Sequence, residues 1–522
     1  MATIVIGIDG ANWEMVDPWL ASGDLPNLSR LVDGGVGGTS YSTLPPITVP
    51  NWKCYSTGKN PGKLDVFRFD TVDTDRREHV FHDATDFRSA ELWDYLNDVG
   101  LTAGVINKPS TYPPREIDGF VVAGGPDATD GEYRSVREQF ASPPDVDRFL
   151  REEFDYRVHP SPILSPSDNG PEEIAAALDV IRLRFDAAEA LLEREQPDFL
   201  HVTTFYNMVL QHYFWTEEPV RRAWQVIDEN LGRFMDRGHD IVVMSDHGTS
   251  HVDAVFYVNV WMAENGYLSL QSSVDEYLRT VGVTRERVLG VAKRFNMVET
   301  LARIVPEAVQ KRVPWEEGIK RERVLDALDW ERTAAVASSQ GPVYLTAEPG
   351  TPEYRQTREE LIDGLSGLAH PETGAPLVGD VHRGEEYYEG PYAGHAPDLL
   401  IEQAPGVHAS DAVGPEEWYS DSGVWKGGNM PEGIFLMHGP SFKSEGLTMT
   451  ADIFDLAPTL LHLHDAGVPS DMDGHVLDVF APDSEPAGRP VRMREPLGTD
   501  GVSAPSGDRG VEERLENLGY LE

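Results

Sequence analysis

The run Thr3-Ile-Val-Ile-Gly-Ile8 is unbroken in apolar and β-branched character and stops at Asp9-Gly10. It predicts a buried strand that delivers a carboxylate at its C-terminal end. Similar runs recur at Thr102 to Asn107, Gly119 to Ala123, Asp198 to Thr204 and Asp240 to Met244, the last leading into Ser245-Asp246-His247-Gly248. Between them the period changes to that of a helix. Ser89 to Gly100 predicts a helix closed by glycine, and Pro171 to Glu195 another, with Ile174, Ala177, Leu178, Ile181, Phe185, Ala188 and Leu191 on helical spacing. The alternation predicts an α/β fold with a parallel, doubly wound sheet. In such sheets ligands bind beyond the C-terminal ends of the strands.

From Leu268 to Leu328 the texture is helical, and Thr284 to Arg323 holds ten Lys or Arg against six Asp or Glu. This predicts a helical cap insertion, either an ordinary solvated hairpin or a surface that attracts an anionic substrate. Sheet patterning returns at Thr333 to Ala337, Val343 to Leu345 and Asp398 to Ile401, and Asp452 to Leu463 predicts a helix packed on the sheet. The expected organisation is core 1–267, cap 268–328, core 329–482 and tail 483–522. The tail is Pro- and Gly-rich, with a short terminal helix over Val511 to Leu521. Gly34-Gly-Val-Gly-Gly38 lacks the lysine of a phosphate loop and predicts a glycine-rich turn.

Composition narrows the partners. The 522 residues carry 88 acidic and 44 basic side chains, a formal charge of −44, which opposes binding to nucleic acid or to an anionic membrane. No stretch of ~18 apolar residues predicts a membrane span. Cys54 is the single cysteine, which excludes an intrachain disulfide and a Cys-based zinc knuckle and fits a reducing compartment. With no cationic leader followed by an apolar segment, the expected location is cytoplasmic. The charge itself suggests a halophilic, salt-rich setting.

Three separated segments bring metal-binding side chains to predicted strand ends: Asp9, the loop around Thr48, and Asp246-His247. Carboxylate oxygens and an imidazole nitrogen suit Zn²⁺ or Mn²⁺, and a threonine hydroxyl beside such a cation loses its proton far more readily. Singly each signal is weak, because a strand-terminal aspartate often caps a helix and Asp-His-Gly can be a turn. Jointly they are stronger, since the strand ends of one parallel sheet open on one crevice. Asn51 is placed to hydrogen-bond a transferred group or to cap a helix beginning at Trp52. Cys54, between Trp52 and Tyr55 with no adjacent base, is expected to pack in the core.

Ile8-Asp9-Gly10-Ala11, Leu44-Pro-Pro-Ile-Thr48-Val-Pro-Asn-Trp52 leading into Ser56-Thr-Gly-Lys-Asn-Pro-Gly-Lys63, Ser245-Asp-His-Gly248 and Ala451-Asp-Ile-Phe-Asp-Leu-Ala-Pro-Thr-Leu-Leu461 occur in this order. They resemble the successive motifs of the type I phosphodiesterase/nucleotide pyrophosphatase family, within the alkaline phosphatase superfamily. The resemblance implies a three-layer αβα fold with a mostly parallel central sheet, here with the helical cap insertion. It also implies a bimetallic phosphoester site and a phosphothreonine intermediate. Asp9, Asp246 and His247 match the ligands of one metal, Thr48 the nucleophile, and His212 a ligand of the second metal.

Two ligands of that second metal are replaced. Met208, with Asn207 beside it, stands where the family pattern has an aspartate, and Gly427-Gly428-Asn429 replaces its Gly-x-His. Leu64 stands where many relatives have histidine. A thioether and a neutral amide are poorer donors to Zn²⁺ than carboxylate and imidazole. One divalent ion, Zn²⁺ or Mn²⁺, is therefore expected, with Asn207 and Asn429 as weak candidates at a second position. His212, Lys53 or Lys59 could supply charge in place of the lost cation, and His251 is a lesser candidate.

The function implied is metal-dependent hydrolysis of a phosphate ester or phosphodiester, on a small phosphorylated or nucleotide-like substrate. One alternative is a catalytically weakened or inactive pseudoenzyme that binds a nucleotide or partner. Another is a sulfatase-like or phospho-transfer enzyme of the same superfamily, although ordinary sulfatases mature a Cys or Ser and this chain has Thr48.

The charge reading has a direct test. At ~0.1 M salt the Debye length is about 10 Å, and at ~1 M it is about 3 Å, so self-repulsion is screened only at high salt. The folded fraction followed by circular dichroism should rise with KCl up to molar concentration. Full stability in low salt would remove the halophilic reading.

Overall fold

The computed structural model describes residues 2–87, 89–125, 139–165, 168–271 and 324–498. Its largest element is a nine-stranded sheet in the order Gly446–Asp452, Val36–Tyr41, Glu432–His438, Asp240–Met244, Thr3–Ile8, Phe199–Thr204, Ala103–Ile106, Gly119–Val122, Ala141–Ser142. Thr3–Ile8 lies in the middle, parallel to Asp240–Met244 on one side and to Phe199–Thr204 on the other. Only Glu432–His438 and Ala141–Ser142 run against their neighbours in this sheet. Period-2 patterning explains why both faces are covered. Ile4, Ile6, Ile8, Ile241 and Val243 enter one apolar cluster, whereas Val5, Val242 and Met244 enter the other.

Helix Pro171–Glu195 and helix Glu218–Met235 contribute to the first cluster, and helices Thr48–Thr57, Leu92–Asp98 and Leu456–Leu463 to the second. The result is the expected three-layer αβα arrangement. The glycine-rich turn expected over Gly34 to Gly38 is a correction: Val36–Tyr41 is a strand of the main sheet. A side chain at Gly37 would put its Cβ 2.2 Å from the Phe435 carbonyl oxygen, so these glycines allow neighbouring backbones to approach.

The later strand predictions fall on Ala335–Ala337, Pro342–Leu345 and Leu399–Gln403. Together with Val378–Arg383 they form a separate antiparallel sheet rather than extending the large one. Helix Pro352–Leu365 packs on it, giving a smaller lobe with its own apolar cluster. A two-stranded ribbon, Gly248–His251 with Gly427–Met430, sets Thr249 opposite Asn429. Most of the cap segment and the terminal helix over Val511 to Leu521 lie outside the described residues. At the root of the cap segment, Leu270 bridges Leu328 and the Gln271 N–H donates to the Ala327 carbonyl at 2.9 Å.

Behind the Thr48–Thr57 helix is a buried ionic cluster. Glu91 accepts from Lys53 at 2.9 Å, Lys108 at 3.3 Å, Arg115 at 3.4 Å and the Ser56 hydroxyl at 2.9 Å. Burial alone would raise its pKa, but the cations, Lys53 foremost, overcome this and hold it well below the usual carboxylate range. An unfolded glutamate titrates near pH ~4.3, so this stabilisation is present above that pH and is lost as pH falls through it and below. Glu91→Gln strands the cationic side and should cost ~3–5 kcal/mol at neutral pH in urea denaturation. The difference from wild type should shrink towards pH ~3; a pH-independent difference would contradict the assignment.

Candidate metal and phosphoester site

Asp9, Asp246 and His247 meet because they follow adjacent parallel strands. Asp9 comes directly after Ile8, and Gly10 then turns the chain with a φ of 67°. A Cβ at Gly10 would sit 2.2 Å from Met208 Sδ, so both the backbone and the space call for glycine. Asp246 and His247 follow Asp240–Met244, one strand away. Thr48 begins the Thr48–Thr57 helix on the opposite wall.

One carboxylate oxygen from each aspartate and one imidazole nitrogen lie within 4.8 Å of one another, and all three residues are buried. His247 Nε2 is 3.3 Å from Asp246 Oδ2, 3.7 Å from Asp9 Oδ1 and 3.3 Å from Thr48 Oγ1. The other edge of the ring faces the Gly248 carbonyl, with Nδ1 at 2.9 Å. Nδ1 therefore carries the proton, and Nε2 presents a lone pair. Asp9 Oδ2 accepts from the Trp52 indole at 2.9 Å, and Asp246 Oδ1 from the Gly10 N–H at 3.3 Å. Asp9 Oδ1 and Asp246 Oδ2 are buried with no hydrogen-bond donor.

Lone pairs thus converge from three directions. Burial pushes the Asp9 pKa up to about 7 despite the Trp52 hydrogen bond. It also raises Asp246 well above the usual carboxylate range, with the Asp9 charge adding to the effect. His247 is pushed down to about 4, mainly by burial. A protein interior tolerates such a concentration of acceptors when a cation completes it, and two carboxylates with a neutral imidazole suit a divalent, borderline ion.

The second family site fits an ion poorly. Met208 Sδ lies 3.1 Å from Thr249 Oγ1, which donates to the Gly10 carbonyl at 2.7 Å and accepts from Gln211 Nε2 at 2.9 Å. A thioether in a satisfied hydrogen-bond cluster occupies the position of the missing carboxylate. Asn207 Nδ2 donates to the Asp9 carbonyl at 2.6 Å, and Asn429 Nδ2 to the Pro46 carbonyl at 2.8 Å. The Oδ1 atoms of both asparagines are buried without donors. His212 stands outside the three-residue cluster, with Nδ1 2.8 Å from the Gly427 carbonyl and its ring edge-on to Trp425.

Several other expectations need correction. The Thr48 helix starts at Thr48 rather than Trp52, so Asn51 caps nothing: its Oδ1 accepts from the Thr43 N–H at 2.8 Å and its Nδ2 donates to the Ile47 carbonyl at 2.9 Å. Lys53 is paired with Glu91, and Lys59 with Asp471 and Ser89. Neither is held ready for an anion at the site. His251 is exposed beside Asp253. Cys54 is buried, as expected, and burial pushes its thiol up. Sequence reasoning missed the Trp52 bond to Asp9, although Trp52 stands one helical turn after Thr48. It also missed Gln340, which reaches the site from the small lobe with no motif to mark it.

The fold, with its large mostly parallel central sheet, is alkaline phosphatase-like. The chain belongs to the type I phosphodiesterase/nucleotide pyrophosphatase family, whose family model matches residues 3–429. That membership makes it a phosphoric ester hydrolase by class. Among solved structures it resembles phosphonoacetate hydrolase from Sinorhizobium meliloti 1021 in complex with phosphonoformate, at 16% identity and TM-score 0.54, covering 88% of this chain and 94% of that one. It also resembles a mutant of the alkaline phosphatase PafA, at 13% identity and TM-score 0.55, covering 92% and 99%. Murine ectonucleotide pyrophosphatase/phosphodiesterase 5 aligns at 13% identity and TM-score 0.48, covering 92% and 100%. At these identities the likeness is one of fold. Among the described residues no helix is long and apolar enough to cross a membrane.

An ion entering the site must displace protons from the aspartates. Affinity for Mn²⁺ or Zn²⁺, measured by calorimetry, should therefore rise with pH through about 7, the value to which Asp9 is raised. Saturating ion at ~100 times its Kd should stabilise the fold by about 2.7 kcal/mol. Asp246→Asn should abolish that increment; an undiminished increment would place the ion elsewhere.

Proposed function

We propose that this chain hydrolyses a small phosphate ester or phosphodiester through Thr48, with a single divalent ion, Zn²⁺ or Mn²⁺, held by Asp9, Asp246 and His247. The observation that carries the proposal is the convergence of Asp9 Oδ1 and Asp246 Oδ2, both buried without a donor, with His247 Nε2, which lies beside Thr48 Oγ1. A bound ion would supply the positive field that acidifies the threonine hydroxyl.

The protein residues then divide the remaining work. Thr48 Oγ1 attacks phosphorus: the Oγ1–P bond forms, the bond from phosphorus to the leaving oxygen breaks, the threonine proton passes to solvent, and the leaving oxygen takes a proton from water. Water then cleaves the phosphothreonine, which regenerates the hydroxyl and releases the phosphoryl product. Ile47, the N-cap of the Thr48–Thr57 helix, makes no side-chain capping bond. The Thr48 and Val49 N–H groups therefore have no intrahelical acceptor and suit an anionic group at the helix start. Asn51, proposed as a second catalytic residue, also holds the Thr43 loop against this helix.

His212, Asn207 and Asn429 line the side on which relatives keep a second ion, and one ion is the reading that Met208 favours. The basic segment within 268–328 is proposed as a cap over an anionic, nucleotide-like substrate.

Met208 and Asn429 also support a second reading, a pseudoenzyme that binds a phosphorylated ligand without turnover. Metal analysis and assay separate the two. For the hydrolase, one ion per chain should accompany cleavage of bis-p-nitrophenyl phosphate, and Thr48→Ala should lower kcat by on the order of 10³-fold or more with the ion retained. Unchanged turnover in Thr48→Ala would remove the residue from the mechanism, and ligand binding without any turnover would favour the pseudoenzyme.

A further inference from the structure

From the small lobe, Gln340 bonds Asn429 beside the candidate site. It lies in the connection between strands Ala335–Ala337 and Pro342–Leu345 and holds a φ of 65°, a left-handed conformation that glutamine rarely adopts. The surroundings impose that conformation. The Gln340 N–H donates to the Ala409 carbonyl at 2.7 Å, the Ser338 N–H to Pro342 at 2.8 Å and the Ile401 N–H to Gly341 at 2.9 Å. The buried Arg68 guanidinium donates to the Ser339 carbonyl. A glycine here would meet the same backbone requirement without strain, yet the chain has glutamine. Strain kept by four anchors marks a side chain whose direction matters.

Gln340 Oε1 accepts from Asn429 Nδ2 at 3.4 Å. Asn429 Nδ2 is 3.4 Å from His247 Nε2, which is itself 3.3 Å from Thr48 Oγ1. With Oε1 directed to Asn429, the Gln340 NH₂ group has no protein acceptor among the described residues, and the residue is only half-buried. It is a neutral donor at the mouth of the site, on the side where Asn429 stands in place of the family histidine.

We infer that Gln340 contacts the substrate, donating its amide N–H to an oxygen of the transferred phosphoryl group on the side where relatives place a second cation. This rests on the proposed phosphoester reading. A neutral donor bonds the oxygen without neutralising it, so this contact favours a phosphoryl group of low charge, a diester over a monoester.

Gln340→Gly removes the amide and relieves the backbone in one change. The ion-loaded variant should keep or raise its Tm and keep its metal content. It should lose roughly 10-fold in affinity for inorganic phosphate by calorimetry, and at least as much in kcat/KM for bis-p-nitrophenyl phosphate. Gln340→Asn, which tolerates the left-handed backbone but has a shorter reach, should show the same direction of loss. A raised Tm with unchanged phosphate affinity and unchanged kcat/KM would reduce Gln340 to a turn residue and overturn the inference. Thr48→Ala assayed in parallel keeps the two proposals apart: full turnover there defeats the threonine mechanism, whereas the phosphate affinity of the Gln340 variants needs no turnover and decides the contact by itself.

Discussion

Everything at the site follows from two aspartates placed side by side in a dry interior. A carboxylate taken out of water needs donors or a counter-charge, and here each acid has one oxygen satisfied and one left bare. The bare oxygens face the one imidazole nitrogen that cannot donate. A cation placed between them would satisfy both bare oxygens at once, and the three residues form a candidate site for one. The parallel pairing of Thr3–Ile8 with Asp240–Met244 fixes how far apart the two acids can be. The helix that begins at Thr48 contributes both the hydroxyl beside that point and, through Trp52, the bond that orients Asp9.

Where the family pattern has a further carboxylate, neutral side chains pack together. Removing a carboxylate ligand would leave a polar hole if nothing replaced it. Met208, Thr249 and Gln211 fill the space and satisfy the Gly10 carbonyl twice, at 2.7 and 2.9 Å. The ribbon that pairs Thr249 with Asn429 ties this cluster to the mouth of the site. A neutral amide there needs no counter-ion, which leaves Asp9 and Asp246 as the acidic groups of the candidate cluster.

Much of this was legible in the sequence. Apolar runs ending in Asp9-Gly10 and Ser245-Asp246-His247 marked two strands of the large sheet, because a parallel strand covered on both faces is apolar throughout. Helix Pro171–Glu195 was visible from its spacing and is found with the same ends. Where the reading failed, the reason is physical. Val36–Tyr41 was hidden because glycines selected for close backbone approach look like turn formers. Lys53 looked available because a sequence does not show that Glu91, far along the chain, lies beneath it. Gln340 carried no signal, since a left-handed backbone is recognisable only when glycine or asparagine occupies it.

The bridge between Leu270 and Leu328 has a wider consequence. A segment whose two ends are clamped together closes its loop at the root, so lengthening or exchanging what lies between costs only the slowly growing entropy of a longer loop. The sheet would scarcely register such a change. Selection could therefore re-tailor this segment freely while the aspartates beneath stayed fixed, and divergence between lineages is expected to concentrate there.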